Sequence, residues 1–258
     1  MKPEISIIVP GIRNYNWEKL LSSVTTSTDR SFEIIFCGPY SPEAPIASNP
    51  ALKYVADWGN PVRASQIAAS LAEGKLIVWA SDDGVFIPYS LDKAVDALYD
   101  MGNSWSNVVV TKYLEGREGT VKEIQNEKYY TLKHCFSNCQ WIPKNWYLFN
   151  TGVMYRGYFE HLGGWDAEFE GTFVSHCDLA MRAQGLGASV KFLDVQLLDC
   201  DHTPGTSGDH GPIHHAQLTH DVPLFESRYH RPLDGVSKLI IPFDNWKLAH
   251  RLWTRRFG

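Results

Sequence analysis

The sequence predicts an α/β fold with a doubly wound, mostly parallel sheet. Short β-branched runs alternate with segments of helical period through the first hundred residues. The first two of these runs end at Gly or Pro, and 44% of the 258 residues are hydrophobic, enough for a buried core. Strands that alternate with helices pair in parallel through right-handed crossovers. Because such sheets bind ligands beyond the carboxyl ends of their strands, the loops after the first and fourth strands are expected to form the site.

The first half of the chain divides into four strands and two helices. Each strand is a short apolar run, and the runs occupy residues 5–9, 32–37, 52–55 and 75–80. The first helix, 16–26, places Trp17, Leu20 and Val24 at helical spacing. The second helix, 61–72, begins at a proline suited to a first turn and stops before Gly74.

The second half is less regular. Its apolar periodicity predicts helices at 89–99 and 174–184 and strands at 107–113, 149–156 and 189–195. Residues 199–215 are dense in His, Gly, Pro and Asp and are predicted to be a loop. The polar and aromatic stretch 115–146 has no clear period, and no internal repeat marks a domain boundary.

Composition excludes several classes of protein. The chain has 24 Lys and Arg against 29 Asp and Glu, so its formal charge of −5 gives no general attraction for nucleic acid. No apolar run approaches the ~20 residues that span a bilayer, and the start lacks a signal-peptide pattern. Five cysteines in a chain of this length do not indicate a disulfide framework. We therefore expect a cytoplasmic protein.

Two adjacent carboxylates, Asp82 and Asp83, directly follow the fourth predicted strand. Such a pair repels unless a cation or hydrogen-bond donors compensate the charge. A hard divalent cation such as Mg²⁺ or Mn²⁺ binds carboxylate oxygens and keeps positions open for substrate phosphates. The alternative is a solvated turn, because Asp-Asp-Gly is also common turn chemistry.

Several segments, taken in order, resemble the family 2 glycosyltransferases of GT-A fold. They are SIIVP at 6–10, FEII at 32–35, WASDD at 79–83, GGWDAEF at 163–169 and DLAMR at 178–182, followed by His202. The resemblance implies a hexosyltransferase-like enzyme that moves a sugar from a nucleotide diphosphate donor to an acceptor hydroxyl, with inversion. It implies one domain, 1–258, with a nucleotide-sugar-binding half at 1–104, an acceptor and catalytic half at 105–230, and an amphipathic extension at 231–258.

The resemblance also implies roles for individual residues. A divalent metal, Mn²⁺ or Mg²⁺, would be held by Asp82, Asp83 and His202. The nucleotide sugar would contact Pro10, Gly11, Arg13, Tyr40, Arg63 and Asp82. The acceptor, a carbohydrate, lipid-linked or other hydroxyl compound, would contact Gly164, Trp165 and Asp166.

The catalytic base is the point of greatest departure from the family. The family's Glu-Asp pair falls at Ser175 and His176. An imidazole can accept the proton of an acceptor hydroxyl, and so can the carboxylate of Asp178. On a helix these two positions point about 200° apart, so only one faces the site. Asp166 is a third candidate and is better suited to binding the acceptor hydroxyl.

Two further departures leave a second function open. The first carboxylate of the family's acidic motif is replaced by Ala80, and Cys37 begins the segment where the family often has an Asp. A catalytically silent sugar- or nucleotide-binding module on the same fold is therefore the alternative to an enzyme.

An aromatic group and a basic stretch in the second half of the chain have two interpretations each. The rings of Trp141, Trp146, Tyr147, Trp165 and Phe169 form either an acceptor platform or core. The basic, amphipathic stretch 246–257 is expected to form a C-terminal helix, which either packs on the domain or a second subunit, or contacts a membrane surface. The cluster formed by His210, His214 and His215 has no assigned role.

Overall fold

The computed structural model describes residues 2–117, 120–123, 146–201, 210–229, 239 and 241–258. Its strands form one sheet in the order β3-β2-β1-β4-β8-β6-β9-β5, with β7 paired to β6. The strands are β1 (Ile5–Pro10), β2 (Phe32–Gly38), β3 (Leu52–Ala56), β4 (Leu76–Trp79), β5 (Gly84–Phe86), β6 (Asn107–Arg117), β7 (Thr120–Glu123), β8 (Gly152–Tyr155) and β9 (Ser189–Asp201).

Helices cover both faces of this sheet. They are α1 (Trp17–Ser27), α2 (Pro61–Ser70), α3 (Ser90–Asp100), α4 (Arg156–His161), α5 (Thr172–Gly185), α6 (Gly211–Ala216), α7 (Val222–Tyr229) and α8 (Thr254–Phe257). A π-helical turn, Gln217–Asp221, joins α6 to α7 without a break. Short 3-10 turns occupy Asn14–Asn16, Ile46–Ser48 and Asn245–Lys247.

Strand direction confirms the predicted α/β class. The pairs β1–β2, β2–β3, β1–β4 and β6–β9 are parallel. Strand β8 is antiparallel to both of its neighbours, β4 and β6, so β6 runs in the same direction as β4. Most of the sheet therefore runs one way, so the carboxyl ends of β1, β2, β3 and β4 meet at one edge.

Two apolar layers lie on opposite faces of the sheet because successive strand residues alternate sides. Ile8 and Ile35 face the layer that includes α2 and α5, whereas Ile7 and Ile34 face the layer of α1 and α3. All four side chains are fully buried. This alternation is the physical basis of the doubly wound arrangement.

The later elements differ from the sequence-based expectations in three places. The strand expected at 149–156 is limited to β8, and α4 follows it directly. The loop expected at 199–215 begins within β9 and ends within α6, since β9 extends to Asp201. The stretch 246–257 is not one amphipathic helix, because only a 3-10 turn and the four-residue α8 are helical there.

We expect Gly163→Ala to destabilise the fold strongly. Gly163 has φ +83°, and an added Cβ would lie 1.9 Å from the carbonyl oxygen of Ile241. The left-handed strain and the backbone clash together predict a loss of about 3–5 kcal/mol, measured by urea denaturation. Gly187→Ala is the matched control, because Gly187 has φ +85° with nothing near an added Cβ. Its expected loss is about 1–2 kcal/mol, and equal losses in the two variants would contradict the clash.

Candidate functional site

A pocket of about 440 Å³ opens at the carboxyl edge of the parallel strands. It lies where the fold class predicts a ligand, beyond the ends of β1, β2 and β4. Six predicted site residues share its wall: Pro10, Gly11, Arg13, Asp82, Asp83 and His176. The structure thus brings residues from the first strand, the fourth strand and α5 to one cavity.

Asp82 is buried and holds the loop that follows β1. Its Oδ2 accepts hydrogen bonds from the backbone N–H groups of Ile12, at 2.6 Å, and Arg13, at 2.7 Å. Its Oδ1 accepts from the Arg13 guanidinium in a buried ion pair. Burial raises the pKa of Asp82, while Arg13 opposes that rise. Both oxygens of Asp82 therefore have protein partners.

Asp83 is the carboxylate with an orphaned oxygen. Asp82 and Asp83 occupy the centre of a turn closed by a 3.0 Å hydrogen bond from the Gly84 N–H to the Ser81 carbonyl. The buried Oδ1 of Asp83 has no hydrogen-bond partner, and its Oδ2 lies 3.9 Å from the Arg13 guanidinium. The orphaned Oδ1 of Asp83 is therefore the oxygen of this pair that suits a divalent cation, whereas both oxygens of Asp82 already accept hydrogen bonds from the protein.

The third predicted ligand, His202, lies outside the described residues. Among the residues that the structure does describe, no three His, Cys, Asp or Glu side chains group as a metal site.

His176 presents its ring to the pocket from the first half of α5. The ring lies 6.3 Å from that of Trp79 and 6.0 Å from that of Trp165, measured between centroids. Burial lowers the pKa of His176 to about 4, and its Nδ1 has no hydrogen-bond partner. The imidazole is therefore neutral at physiological pH and able to accept a proton, although its basicity is low.

The start of α5 is fixed by Asp221 of the π-helical turn. Asp221 accepts the backbone N–H groups of Glu170, at 2.9 Å, and Gly171, at 2.7 Å. Its side chain is fully buried and also pairs with the His220 ring at 2.8 Å. Because Gly171 immediately precedes α5, this contact sets the position from which His176 enters the pocket.

Asp178 faces away from the pocket, into a fully buried ion pair with Arg182. Its Oδ2 accepts from Arg182 Nη2 at 2.7 Å and Nε at 2.9 Å, and its Oδ1 accepts from the Tyr229 hydroxyl. Arg228 lies 3.5 Å from the same carboxylate. These contacts assign Asp178 to a structural network, so its expected role as an alternative base is not supported.

Asp166 belongs to the same network. Its Oδ2 pairs with Arg228 Nη1 at 2.6 Å, and its Oδ1 accepts the Glu168 N–H at 2.9 Å. Burial and the nearby Asp178 raise the pKa of Asp166, against the effect of Arg228. Asp166 lines a second cavity instead of the one that holds His176, so the two are not brought together as alternative bases of one site.

Gly164 and Trp165 are buried, which corrects the expectation that they meet an acceptor. Trp165 is 1% exposed and packs edge-to-face on Trp79, with ring centroids 6.3 Å apart. Its backbone N–H donates to the Gln66 side chain at 2.8 Å, and the Gly164 carbonyl accepts from Arg182 at 2.7 Å. The Gly-Gly-Trp segment therefore builds the core beneath the site.

The other predicted aromatic platform residues are also placed in or against the core where the structure describes them. Phe169 is fully buried, and Trp146 and Tyr147 pack against the same apolar layer. Trp141 lies outside the described residues.

Arg63 and Tyr40, expected to contact the nucleotide, do not line the pocket. Arg63 is 2% exposed, pairs with Asp57 at 3.1 Å and donates to the carbonyls of Trp246 and Ala249. It fixes the segment 241–258 instead of facing a ligand. Tyr40 is 45% exposed outside the pocket, beside the Trp58 ring.

The contribution of the segment 241–258 to the pocket was not predicted from the sequence. Trp253, Arg256 and Phe257 line the pocket, and so do His210 and His214 of the histidine cluster. The Arg13 guanidinium lies 3.0 Å from His210 Nε2. The basic composition of both stretches was a signal for an anionic ligand, but nothing in the sequence indicated that they line the same pocket as the loop after β1.

The amphipathic stretch 246–257 packs on the domain, as one of its two interpretations predicted. Trp253 is buried, and its Nε1 donates to Glu170 at 2.8 Å. None of the helices in the described part of the chain is long and apolar enough to cross a membrane.

The sheet and its helices form a mixed α/β fold of the GT-A-like type. The chain is similar to crystal structures of S. aureus TarS. It matches TarS 1-349 with a TM-score of 0.56 and 18% identity, over 85% of this chain and 66% of that one. It matches TarS 1-349 in complex with UDP with a TM-score of 0.58 and 16% identity, over the same shares of the two chains.

A longer TarS structure gives a TM-score of 0.57 and 16% identity, over 86% of this chain and 40% of that one. This chain thus spans less than two thirds of the length of these neighbours, and at such identity the likeness shows the fold alone. No protein-family model and no curated protein sequence matches the chain.

We expect Asp178→Ala to cost stability, because it leaves Arg182 charged and unpaired in the core. Removing one partner of a buried ion pair costs about 3–5 kcal/mol. Urea denaturation measures this loss, and Glu160→Ala is the control. Glu160 pairs with Arg156 at 2.6 Å at the surface, where the expected loss is below ~1 kcal/mol. A wild-type unfolding midpoint for Asp178→Ala would show that the network is not structural.

Proposed function

We propose that the chain is a glycosyltransferase that takes a nucleotide diphosphate sugar into the 440 Å³ pocket. It transfers the sugar to an acceptor hydroxyl with inversion, assisted by Mn²⁺ or Mg²⁺. The observation that carries this proposal is the convergence of Asp83 and His176 on one pocket, in a glycosyltransferase-like fold. A pocket of this size suits a ligand with several hundred Å² of surface.

The donor end of the proposal is supported by the pocket's charges and by the TarS–UDP complex. Arg13 brings a guanidinium to the wall, and guanidinium groups suit phosphate oxygens. The neighbour's bound UDP makes a uridine nucleotide the first donor class to test.

The proposed cation site is centred on Asp83. When bound there, a divalent cation offsets the negative charge that develops on the departing diphosphate. Asp82 has a different function, since its two oxygens hold the backbone and guanidinium of Arg13. Asp82 thus positions the Arg13 guanidinium beside the proposed cation site. His202 is a further proposed ligand of the cation.

His176 is the proposed general base. Its neutral ring faces the pocket, whereas Asp178 and Asp166 are engaged with arginines elsewhere. As the acceptor oxygen attacks the sugar carbon, the hydroxyl proton passes to the imidazole, and the bond to the diphosphate breaks on the opposite face.

A catalytically silent nucleotide-sugar-binding module is the second candidate. The low basicity that burial gives His176, at a pKa of about 4, is the observation that favours it. Such a module binds the donor in the same pocket but releases no nucleoside diphosphate when acceptors are added.

We expect Asp83→Asn to remove metal-dependent donor binding. Thermal shifts with UDP-, GDP-, dTDP- and CDP-linked sugars, with and without Mn²⁺, identify the donor on the wild type. A ligand at 100 times its Kd stabilises the protein by about 2.7 kcal/mol. Asp83→Asn should lose the Mn²⁺-dependent part of this shift.

Asp82→Asn is the matched variant for that experiment. It should weaken donor binding with and without Mn²⁺, because it releases Arg13 from its buried partner. Retention of the full Mn²⁺-dependent shift by Asp83→Asn would contradict the assignment of Asp83 as the ligand.

We expect His176→Ala to lose turnover by ~10²–10⁴-fold while donor affinity stays close to wild type. The base must be neutral to act, and burial lowers the pKa of His176 to about 4. The wild-type rate should therefore stay level from pH 9 to about pH 5 and fall only below that, not near the unperturbed value of ~6.5. Nucleoside diphosphate release across this range measures the profile. Unchanged turnover in His176→Ala rules out this base, and donor binding without any wild-type release favours the silent module.

A further inference from the structure

Two side chains near the end of the chain share the pocket with Arg13 and Asp83, although no motif assigns them a role. They are Arg256 and Phe257 of α8. We propose that both contact the donor: the Phe257 ring stacks on the nucleobase, and the Arg256 guanidinium pairs with the diphosphate. This inference rests on the proposed function, because it takes the ligand to be a nucleoside diphosphate compound.

The segment that carries these residues is held firmly against the domain. The Trp253 N–H donates to the Trp58 carbonyl at 2.9 Å, and Leu252 bridges to Trp58 in parallel. On the other side, Arg255 Nε and Trp253 Nε1 both donate to Glu170, at 2.6 and 2.8 Å. The side chains of α8 are therefore positioned by contacts on both sides.

Arg63 provides a second anchor for the segment. Its guanidinium donates to the carbonyls of Trp246 and Ala249 and pairs with Asp57, the residue after β3. Since Asp57 lines the pocket as well, the anchor joins the segment to the edge of the site.

Phe257 lies in an aromatic group at the β3 side of the pocket. Its ring meets that of Trp58 edge-on, with centroids 5.3 Å apart, and Trp58 meets Tyr40 in the same way at 6.2 Å. Trp58 and Tyr40 are each nearly half exposed. A planar base gains affinity by stacking on such a ring.

The position of this group in the sheet favours a nucleobase over the transferred sugar. Trp58 follows β3, whereas Asp83 follows β4, and β2 and β1 lie between these strands. Three strand spacings of ~4.8 Å separate the two ends by about 14 Å. A nucleoside diphosphate is elongated, with its base at one end and its phosphates at the other. Phosphates near Asp83 thus leave the base near Phe257.

Arg256 adds a second guanidinium to the same pocket. Its helix, α8, contacts α6, and the residue before α6 is His210, which lies 3.0 Å from Arg13. Helix α8 therefore packs on the helix that directly follows this histidine. Two guanidinium groups suit a diphosphate better than one, because each binds phosphate oxygens through paired donors.

The test is calorimetric titration with a nucleoside diphosphate and with the matching nucleoside. UDP, GDP, CDP and dTDP are first titrated into the wild type, and the tightest is used. Phe257→Leu should weaken the nucleoside and its diphosphate alike, by about 5–100-fold. Arg256→Gln should weaken the diphosphate about tenfold and leave the nucleoside unchanged. Arg251→Gln, an exposed arginine of the same segment outside the pocket, should bind like the wild type.

Each outcome decides between the inference and the function it rests on. A wild type that binds no nucleoside diphosphate overturns the proposed function and this inference with it. A wild type that binds, with equal affinity in folded Phe257→Leu and Arg256→Gln, overturns this inference alone. Phe257→Tyr keeps the ring and should retain wild-type affinity, which separates stacking from a packing defect. The thermal midpoint without ligand shows whether each variant is folded.

Discussion

The buried ion pair of Asp178 and Arg182 connects the parts of the structure on which the candidate site depends. Both side chains are fully buried, and Arg182 also donates to the carbonyls of Leu162 and Gly164. Tyr229 of α7 binds the same carboxylate. One pair thus joins α5 to the Gly-Gly turn and to α7. A charge left unpaired in this interior lowers the free energy of unfolding. Each of the two residues therefore depends on the other for its stability in the core.

Within α5, this network assigns one residue to the core and leaves another facing the pocket. Asp178 faces the ion pair, and His176, two positions earlier, faces the pocket. A helical step of two residues turns the side chain by about 200°, so α5 can support the core and the site at once. The fixed start of the helix at Gly171, held by Asp221, completes this division.

The parts of the candidate site that depend on neighbouring residues in the sequence were predicted. The contacts between distant segments of the chain were not. The β-branched runs and the acidic pair at Asp82 and Asp83 predicted a candidate site at the carboxyl edge of the sheet, and the structure has a pocket there. The helical period also separated His176 from Asp178, but it did not show which of them faces a ligand. Arg63 is a different case, because its partners are carbonyls about 185 residues away, and backbone acceptors leave no pattern in a sequence.

The π-helical turn Gln217–Asp221 changes the phase of the helix that it interrupts. An α-helix advances about 100° per residue, and a wider turn accommodates an additional residue without breaking the chain of hydrogen bonds. His214, before the turn, lines the pocket, whereas Arg228 and Tyr229, after it, reach the buried carboxylates. The π-helical turn therefore changes the direction in which the side chains after it point, relative to those before it. If the same segment were a continuous α-helix, turning His214 toward the pocket would turn Arg228 and Tyr229 away from the buried carboxylates.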